Sequence, residues 1–205
     1  MLHWFCYIIS LKKISTIMSI NKFYKGLLSV IIIMITGSCS AQTNTNSGLQ
    51  RVVIIRHAEK PEKGDNLSCK GFNRSLALTS VLYNKFRLPD RIFVSEVGNG
   101  KTTNQLRMLE TIAPFAIKYN INIDTRFEVD DVKDVAAAIL KTNGYALVVW
   151  QHDKIDNIVK ALGADTKGIK WSDDDYDSIW IVSFKNGKAI FTVDKENLNP
   201  QDTCP

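Results

Sequence analysis

Two histidines stand at the ends of apolar segments that a folded sheet would bring together. Beyond residues 1–38 the sequence has only His57 and His152, which follow the apolar runs 51–56 and 146–150. Such runs are typical of buried parallel strands. Ligands of open α/β sheets bind beyond the carboxyl ends of these strands. With Arg56 beside His57, the pattern indicates a phosphate site that contains a nucleophile.

The rest of the chain alternates between strand and helix patterns. Asn186-Gly187 is a strong hairpin turn signal. This order predicts an α/β fold: a three-layer α/β/α sandwich with a mostly parallel central sheet and a C-terminal β-hairpin. The predicted strands cover residues 51–56, 91–95, 122–129, 145–150, 178–184 and 188–193, and the predicted helices cover 71–86, 105–119 (with Pro114 as a possible kink), 130–141 and 154–162 (closed by Gly163).

The N-terminal region is typical of an export signal. Residues 1–38 contain lysines, then an apolar stretch, then small residues, as in a signal peptide. Cys39 follows Gly37-Ser38, which resembles a bacterial lipoprotein cleavage site. The alternatives are a plain signal peptide cut near Ala41 or an uncleaved anchor. We therefore expect an exported protein, periplasmic or in the cell envelope, tethered to the membrane by a lipid at Cys39.

Domain boundaries follow from composition. We expect a signal peptide over 1–38, with Met18 as a candidate true start, a flexible tether over 39–49 and one catalytic domain over 50–205. The whole chain has 26 basic and 21 acidic residues, but residues 1–38 hold four of the lysines and no acid. The nearly neutral remainder argues against nucleic-acid binding, which requires a basic face.

Cys69 and Cys204 are the cysteines that remain in the predicted domain. They could form a disulfide in an oxidising compartment or stay as free thiols. Neither belongs to a Cys-x-x-Cys pair, and the histidines lack His-Glu-x-x-His spacing, so a zinc site is poorly supported. The run Asp173–Asp175 is expected to be a solvated loop, and Arg74 a surface helix residue or a salt-bridge partner.

Several motifs share one order with a known family. Arg56-His57-Ala58-Glu59 resembles the Arg-His-Gly-Glu motif of the histidine phosphatase superfamily, the phosphoglycerate mutase-like enzymes. The segment from Asp65 to Arg74, Ser95 followed by the segment 107–111, and the strand leading to His152 are also similar to family elements. The resemblance covers about residues 51–194. Ala58 replaces the commoner glycine, and the loop 96–106 is longer than usual.

The resemblance implies a phosphoglycerate mutase-like fold and roles for individual residues. His57 would be the nucleophile that takes the phosphoryl group, and it must be neutral to attack. Arg56 and Arg107 would hold the equatorial oxygens, and their charges favour the neutral imidazole. His152 would donate to the phosphoryl group from the opposite side. Two guanidiniums and a second imidazole supply the electrostatics, so no metal or cofactor is expected.

The sequence leaves three alternatives for how the leaving group receives its proton. Some relatives use an aspartate directly after the second histidine, which would be Asp153. Others use a glutamate further along, for which Glu128 is the candidate. The slight preference is for Asp153. A leaving group that needs no strong acid, as in a phosphohistidine or a pyrophosphate, is the third alternative.

The expected function is hydrolysis of a phosphomonoester or phosphoanhydride through a phosphohistidine on His57. The implied partner is a small phosphorylated substrate. A protein phosphohistidine phosphatase and a non-catalytic anion-binding lipoprotein are the competing interpretations. Mutase activity is disfavoured, because the mutases we would compare have a longer body with extra substrate-binding segments. The oligomeric state does not follow from the sequence.

Overall fold

A six-stranded sheet organises the domain in the computed structural model, which describes residues 48–100 and 103–205. The predictions on the leader, Met18 and Cys39 lie outside these residues. In chain order the elements are β1 (Leu49–Arg56), α1 (Cys69–Phe86), β2 (Arg91–Ser95), β3 (Gly98–Asn99), β4 (Thr103–Asn104), α2 (Leu106–Tyr119), β5 (Ile123–Phe127), α3 (Val132–Leu140), β6 (Gly144–Trp150), α4 (His152–Ala161), β7 (Ser178–Lys185) and β8 (Lys188–Lys195).

The strand order in the sheet is β5-β2-β6-β1-β7-β8. The first four strands of this order run parallel, and β7 and β8 add an antiparallel hairpin at one edge. In the β1–β6 register Arg56 lies opposite Trp150. Both strands are covered on two faces, which explains their continuous apolar runs. The register therefore ends β1 and β6 at the same edge, directly before His57 and His152.

Helices cover both faces of the sheet. On one face α3 and α4 pack against side chains such as Val52, Val148 and Trp180. On the other face α1 and α2 pack against Val53, Ile92 and others. Alternate residues of each central strand point to opposite faces, so one strand serves both cores. The predicted three-layer α/β/α sandwich with a C-terminal hairpin is confirmed.

Most predicted elements are present with shifted ends. α4 begins at His152, two residues earlier than predicted, because Gln151 is extended and its carbonyl accepts from Lys154 N at 3.0 Å. The loop after β2 contains the short hairpin β3–β4, which was not predicted. α2 continues through Pro114. The predicted turn is confirmed, with left-handed φ angles of 51° at Asn186 and 73° at Gly187.

The segment after β8 returns to α1. Cys69, the first residue of α1, forms a disulfide with Cys204, 135 residues later. Asn73 Nδ2 donates to the carbonyls of Gln201 and Thr203 at 2.9 and 2.8 Å. The open question of the two cysteines is thus resolved as a disulfide. None of the helices in the described part of the chain is both long and apolar enough to cross a lipid bilayer.

Removing this disulfide should lower the stability of the domain. A cross-link over so long a loop restricts the unfolded chain, and its loss typically costs about 2–5 kcal/mol. We expect a decrease of this size for the double variant Cys69→Ser, Cys204→Ser in urea unfolding. Reductant should produce the same decrease in the unmodified protein and none in the variant. A double variant as stable as the unmodified protein would show that the cross-link does not restrain folding.

Candidate active site

The carboxyl edge of the sheet opens into a polar cavity of about 320 Å³. The main chain of His57 continues the ladder, since its N–H donates to the Trp150 carbonyl at 3.1 Å. Arg107 arrives from the first turn of α2. The cavity is lined by Arg56, His57, Lys60, Asp65, Asn104, Gln105, Arg107, Met108, Gln151 and His152. The structure thus brings together Arg56, His57, Arg107 and His152, which we call the strand-end cluster.

His57 has a defined tautomer. Its Nδ1 lies 2.7 Å from the carbonyl oxygen of Ala58. A carbonyl only accepts hydrogen bonds, so Nδ1 carries the proton and Nε2 keeps a lone pair. Burial lowers the pKa of His57 to about 4, and the charges of Arg56, Arg107 and His152 act in the same direction. With 4% of its surface exposed, His57 is a neutral imidazole with an available nitrogen, as a nucleophile requires.

Both arginines of the cluster have an unused donor. Arg56 Nη1 donates to the carbonyls of Asp173 and Asp175 at 2.6 and 3.2 Å, and Arg107 Nη2 donates to the Gly64 carbonyl at 2.8 Å. The Nε atoms of Arg56 and Arg107 are buried, and no described residue accepts a hydrogen bond from them. A buried donor without a partner costs about 1–3 kcal/mol. Both arginines line the same cavity, and two guanidiniums there indicate an anion site.

His152 uses both ring nitrogens in this structure. Arg56 Nη2 lies 3.2 Å from its Nδ1, and Asp173 Oδ1 lies 2.9 Å from its Nε2. Because a guanidinium only donates, Nδ1 accepts, and Nε2–H donates to Asp173. The N–H that we expected to face a phosphoryl group is thus bonded to a carboxylate whose side chain is 92% exposed. The role of His152 toward phosphate stays a prediction.

Thr111 joins the end of β1 to α2. Its hydroxyl accepts from Ala58 N at 2.8 Å and donates to the Arg107 carbonyl at 2.7 Å. The same side chain therefore fixes the main chain beside His57 and the main chain of Arg107. Ser95, at the end of β2, is buried, and its hydroxyl has no partner among the described residues. Ser95 is not one of the residues that line the cavity.

Arg74 is a buried salt-bridge partner and not a surface residue, since only 4% of its surface is exposed. Its Nε and Nη2 donate to the two carboxylate oxygens of Glu59 at 2.9 and 2.8 Å, and its Nη1 donates to Glu196 at 2.5 Å. Gly71 allows this approach, because a Cβ there would lie 2.2 Å from the Glu59 carbonyl. Glu59 is thus a structural residue, fixed to α1 on the side away from the cavity.

The two carboxylates that share Arg74 carry more charge than it can neutralise. Burial raises the pKa of Glu196 to about 7; the charges of Asp177 and Glu59 also raise it, while Arg74 opposes the shift. Glu196 follows β8, and its N–H donates to the Asp177 carbonyl at 2.7 Å. A proton on Glu196 would leave Arg74 and Glu59 as a balanced buried pair.

The two acids nominated from sequence do not line the cavity. Asp153 has a half-exposed side chain 3.9 Å from Lys154 Nζ. Glu128 is exposed, and its N–H donates to Asp131 Oδ2 at 3.1 Å. Neither belongs to the wall in which the strand-end cluster lies. The structure does not place Asp153 or Glu128 in the cavity lining. A proton-donor role for either residue stays a prediction.

Several residues in or beside the wall were given no individual role from the sequence. Tyr176 lies under Arg56, whose Cζ is 3.8 Å from the ring centroid, although Tyr176 is not one of the lining residues. Asn104 and Gln105 reach the cavity because the loop after β2 folds back as the β3–β4 hairpin, and Gln105 has a left-handed φ of 62°. A non-glycine residue in that conformation is uncommon and often lies near a functional site. Lys60 follows the Arg56–Glu59 motif directly, and Asp65, Met108 and Gln151 lie within the other segments that resemble the family, so those segments indicated their place near the site.

Known proteins share this fold. No protein-family model and no curated protein matches the sequence. Among solved structures, an Escherichia coli protein proposed to be an alpha-ribazole-5'-P phosphatase is similar with a TM-score of 0.51 and 12% identity, over 75% of this chain and 97% of that one. The chain has a phosphoglycerate mutase-like fold.

Two further structures have comparable coverage. A mycobacterial glucosyl-3-phosphoglycerate phosphatase in complex with inorganic phosphate is similar with a TM-score of 0.50 and 14% identity, over 71% of this chain and 95% of that chain. A protein from Agrobacterium tumefaciens, proposed to be a phosphohistidine phosphatase, has a TM-score of 0.46 and 16% identity, over 74% and 99%. At these identities the likeness establishes the fold alone.

The His57 imidazole should titrate near pH 4 and not near its ordinary value of 6.5. The shift depends on burial and on neighbouring cations, so Arg107→Met should raise the pKa of His57. Ring-nitrogen NMR across the acidic range measures both values. Arg126→Met removes an exposed arginine of β5 and should leave the titration unchanged. A midpoint near 6.5 in the unmodified protein would contradict the neutral, desolvated state.

Global stability is a poor substitute for this measurement. Between pH 6.5 and about 4 the unfolded His57 binds a proton that the folded one does not, so stability falls as the pH falls. Between pH 7 and 4.5 the folded Glu196 keeps a proton that the unfolded one loses, so stability rises as the pH falls. The two contributions oppose each other over much of the same range.

Proposed function

We propose that this protein is a phosphatase that hydrolyses a phosphomonoester or a phosphoanhydride through a phosphohistidine on His57. One observation carries the proposal: Arg56 and Arg107 line the same cavity as His57, and the Nε atom of each arginine is buried without a partner among the described residues. Two guanidinium donors without partners suit the oxygens of a phosphoryl group. A neutral imidazole beside them suits attack on its phosphorus.

The exposed contact between His152 and Asp173 supports a defined place for the phosphoryl group. Asp173 is almost fully solvated, so little is lost when its carboxylate leaves His152 Nε2. A phosphoryl oxygen would then accept from that N–H, on the side of the cavity where Arg56 contacts His152. This exchange gives His152 the donor role that the family resemblance implies.

The remaining wall supports a small, polar leaving group. Lys60, Asn104, Gln105 and Gln151 line the cavity beside the strand-end cluster. The lining residues include no Phe, Tyr or Trp, and Tyr176 packs against Arg56 without joining the lining. No carboxylate of the described residues lies within salt-bridge distance of Lys60. Two of the similar structures are named as a phosphatase of alpha-ribazole-5'-P, a proposed activity, and as a glucosyl-3-phosphoglycerate phosphatase. We propose that a sugar phosphate or a comparable polar phosphate fits better than an aromatic one.

The proposed reaction needs no metal ion. Charge develops on the equatorial oxygens during phosphoryl transfer, and preorganised donors can stabilise it in place of a cation. Arg56, Arg107 and the N–H of His152 provide these donors. His57 is already neutral, so it needs no base to become a nucleophile.

Turnover of 4-nitrophenyl phosphate tests the proposal. We expect His57→Ala to lower kcat by on the order of 10³-fold or more, because the covalent step is lost. Arg107→Met should also lower the rate strongly, whereas Arg126→Met should not. Acid-labile phosphate on His57 should be trapped after rapid quenching, and a chelator should leave the rate unchanged. Full activity of His57→Ala would exclude the assigned nucleophile.

The same experiment separates the enzyme from an anion-binding module. A module would bind inorganic phosphate with an affinity that Arg107→Met weakens, yet turn over no phosphate ester or anhydride. A phosphatase specific for phosphohistidine would dephosphorylate a phosphohistidine peptide and leave aryl and sugar phosphates intact. Either result would replace the proposed substrate class while keeping the strand-end cluster as the anion site.

We further propose that the protein is exported and anchored in the cell envelope by a lipid on Cys39. The Cys69–Cys204 disulfide supports this location, since disulfides persist in oxidising compartments. Expressed in a Gram-negative host, the protein should fractionate with membranes and incorporate labelled palmitate. Cys39→Ser should abolish both, and Cys6→Ser should abolish neither. Labelling that survives Cys39→Ser would exclude the lipid site.

A further inference from the structure

The proposed reaction leaves one proton without a source. When the bond from phosphorus to the leaving oxygen breaks, an alkoxide of high basicity forms unless an acid protonates it. The strand-end cluster supplies no donor for this step, because His57 is the nucleophile and Arg56, Arg107 and His152 are proposed to bind the phosphoryl oxygens. Asp153 and Glu128 do not line the cavity. The acid must therefore be sought among the other residues of the wall.

Asp65 is the only carboxylic acid among the described residues that line the cavity. Its Oδ1 lies 3.9 Å from Arg107 Nη2. The side chain is 54% exposed and makes no hydrogen bond with the described residues, so a leaving group can reach it. The cavity wall thus carries one carboxyl group, and it lies beside an arginine of the proposed phosphate site.

The main chain on both sides of Asp65 is fixed to α2. Arg107 Nη2 donates to the carbonyl of Gly64 at 2.8 Å. Glu110 Oε2 accepts from the N–H of Leu67 at 2.9 Å. Arg107 and Glu110 lie three residues apart on one face of α2, so one helix positions both the proposed phosphate ligand and the loop that carries Asp65. This support gives the exposed side chain a restricted range of positions.

We propose that Asp65 is the proton donor to the leaving group, an assignment that rests on the phosphatase function proposed above. His57 Nε2 forms a bond to phosphorus while the bond to the leaving oxygen breaks, and the Asp65 carboxyl proton passes to that oxygen. Water then attacks the phosphohistidine. The Asp65 carboxylate takes a proton from this water as the nitrogen–phosphorus bond breaks. This step releases phosphate and regenerates neutral His57 and protonated Asp65.

Dependence on the leaving group tests the assignment. Asp65→Asn should lower kcat/KM by about 10²–10⁴-fold for an alkyl phosphate, whose leaving group needs the proton, and far less for 4-nitrophenyl phosphate. Asp65→Glu should recover part of the alkyl phosphate rate. Glu62→Gln, a change on the exposed part of the same loop, should leave both rates unchanged. Inorganic phosphate should inhibit Asp65→Asn as it inhibits the unmodified enzyme, which shows that the anion site is intact.

Three results would overturn the assignment. Equal losses for both leaving groups in Asp65→Asn would assign the residue to binding and not to proton transfer. A selective loss in Asp153→Asn, with Asp65→Asn unaffected, would establish the sequence-based alternative. An unmodified protein without turnover dependent on His57 would remove the phosphatase proposal and Asp65 with it, whereas the first two results leave that proposal standing.

Discussion

The arrangement at the sheet edge depends on the buried ion pair that Arg74 makes with Glu59 and Glu196. Charged groups taken out of water destabilise a fold unless each is paired and hydrogen-bonded. Arg74 meets this condition by binding both oxygens of Glu59 and one of Glu196. Through these contacts α1 holds the segment directly after His57 and the segment directly after β8. Loss of the guanidinium would leave two carboxylates buried together, so the loop at the cavity and the C-terminal segment share one support.

The two arginines of the cavity differ from Arg74 in their hydrogen bonds. Each nitrogen of Arg74 has a carboxylate partner, whereas Arg56 and Arg107 keep buried Nε–H groups that no described residue accepts. The fold thus satisfies its structural guanidinium and leaves its two cavity guanidiniums incomplete. Incomplete donors reduce stability in the free protein, and an anion that completes them recovers this free energy on binding. Desolvation acts on the histidine of the same cavity and lowers the pKa of His57 to about 4.

Local patterns predicted the positions of His57 and His152 because the strand ends follow directly from apolar runs. β2 was predicted with its observed bounds, and the Asn186-Gly187 turn was confirmed by its φ angles. Arg74 was not placed, because its partners lie 15 and 122 residues away and no pattern in α1 indicates them. The contact of Asp173 with His152 and the position of Asp65 depend on loops, whose paths are set by hydrogen bonds to residues far away in the sequence. The sequence pattern thus predicts which residues lie at an edge of the sheet, but it does not predict how their side chains are oriented there.

The strand order also governs how the chain can fold. β1 and β2 follow each other in the sequence, but they are not neighbours in the six-stranded sheet. They lie on either side of β6. Neither of these early strands can complete its pairing until residues 144–150 have joined them. Contacts of such separation raise the entropic barrier to folding and slow it. A ribosome-bound fragment that ends before β6 would therefore expose unpaired central strands, whose open edges favour aggregation.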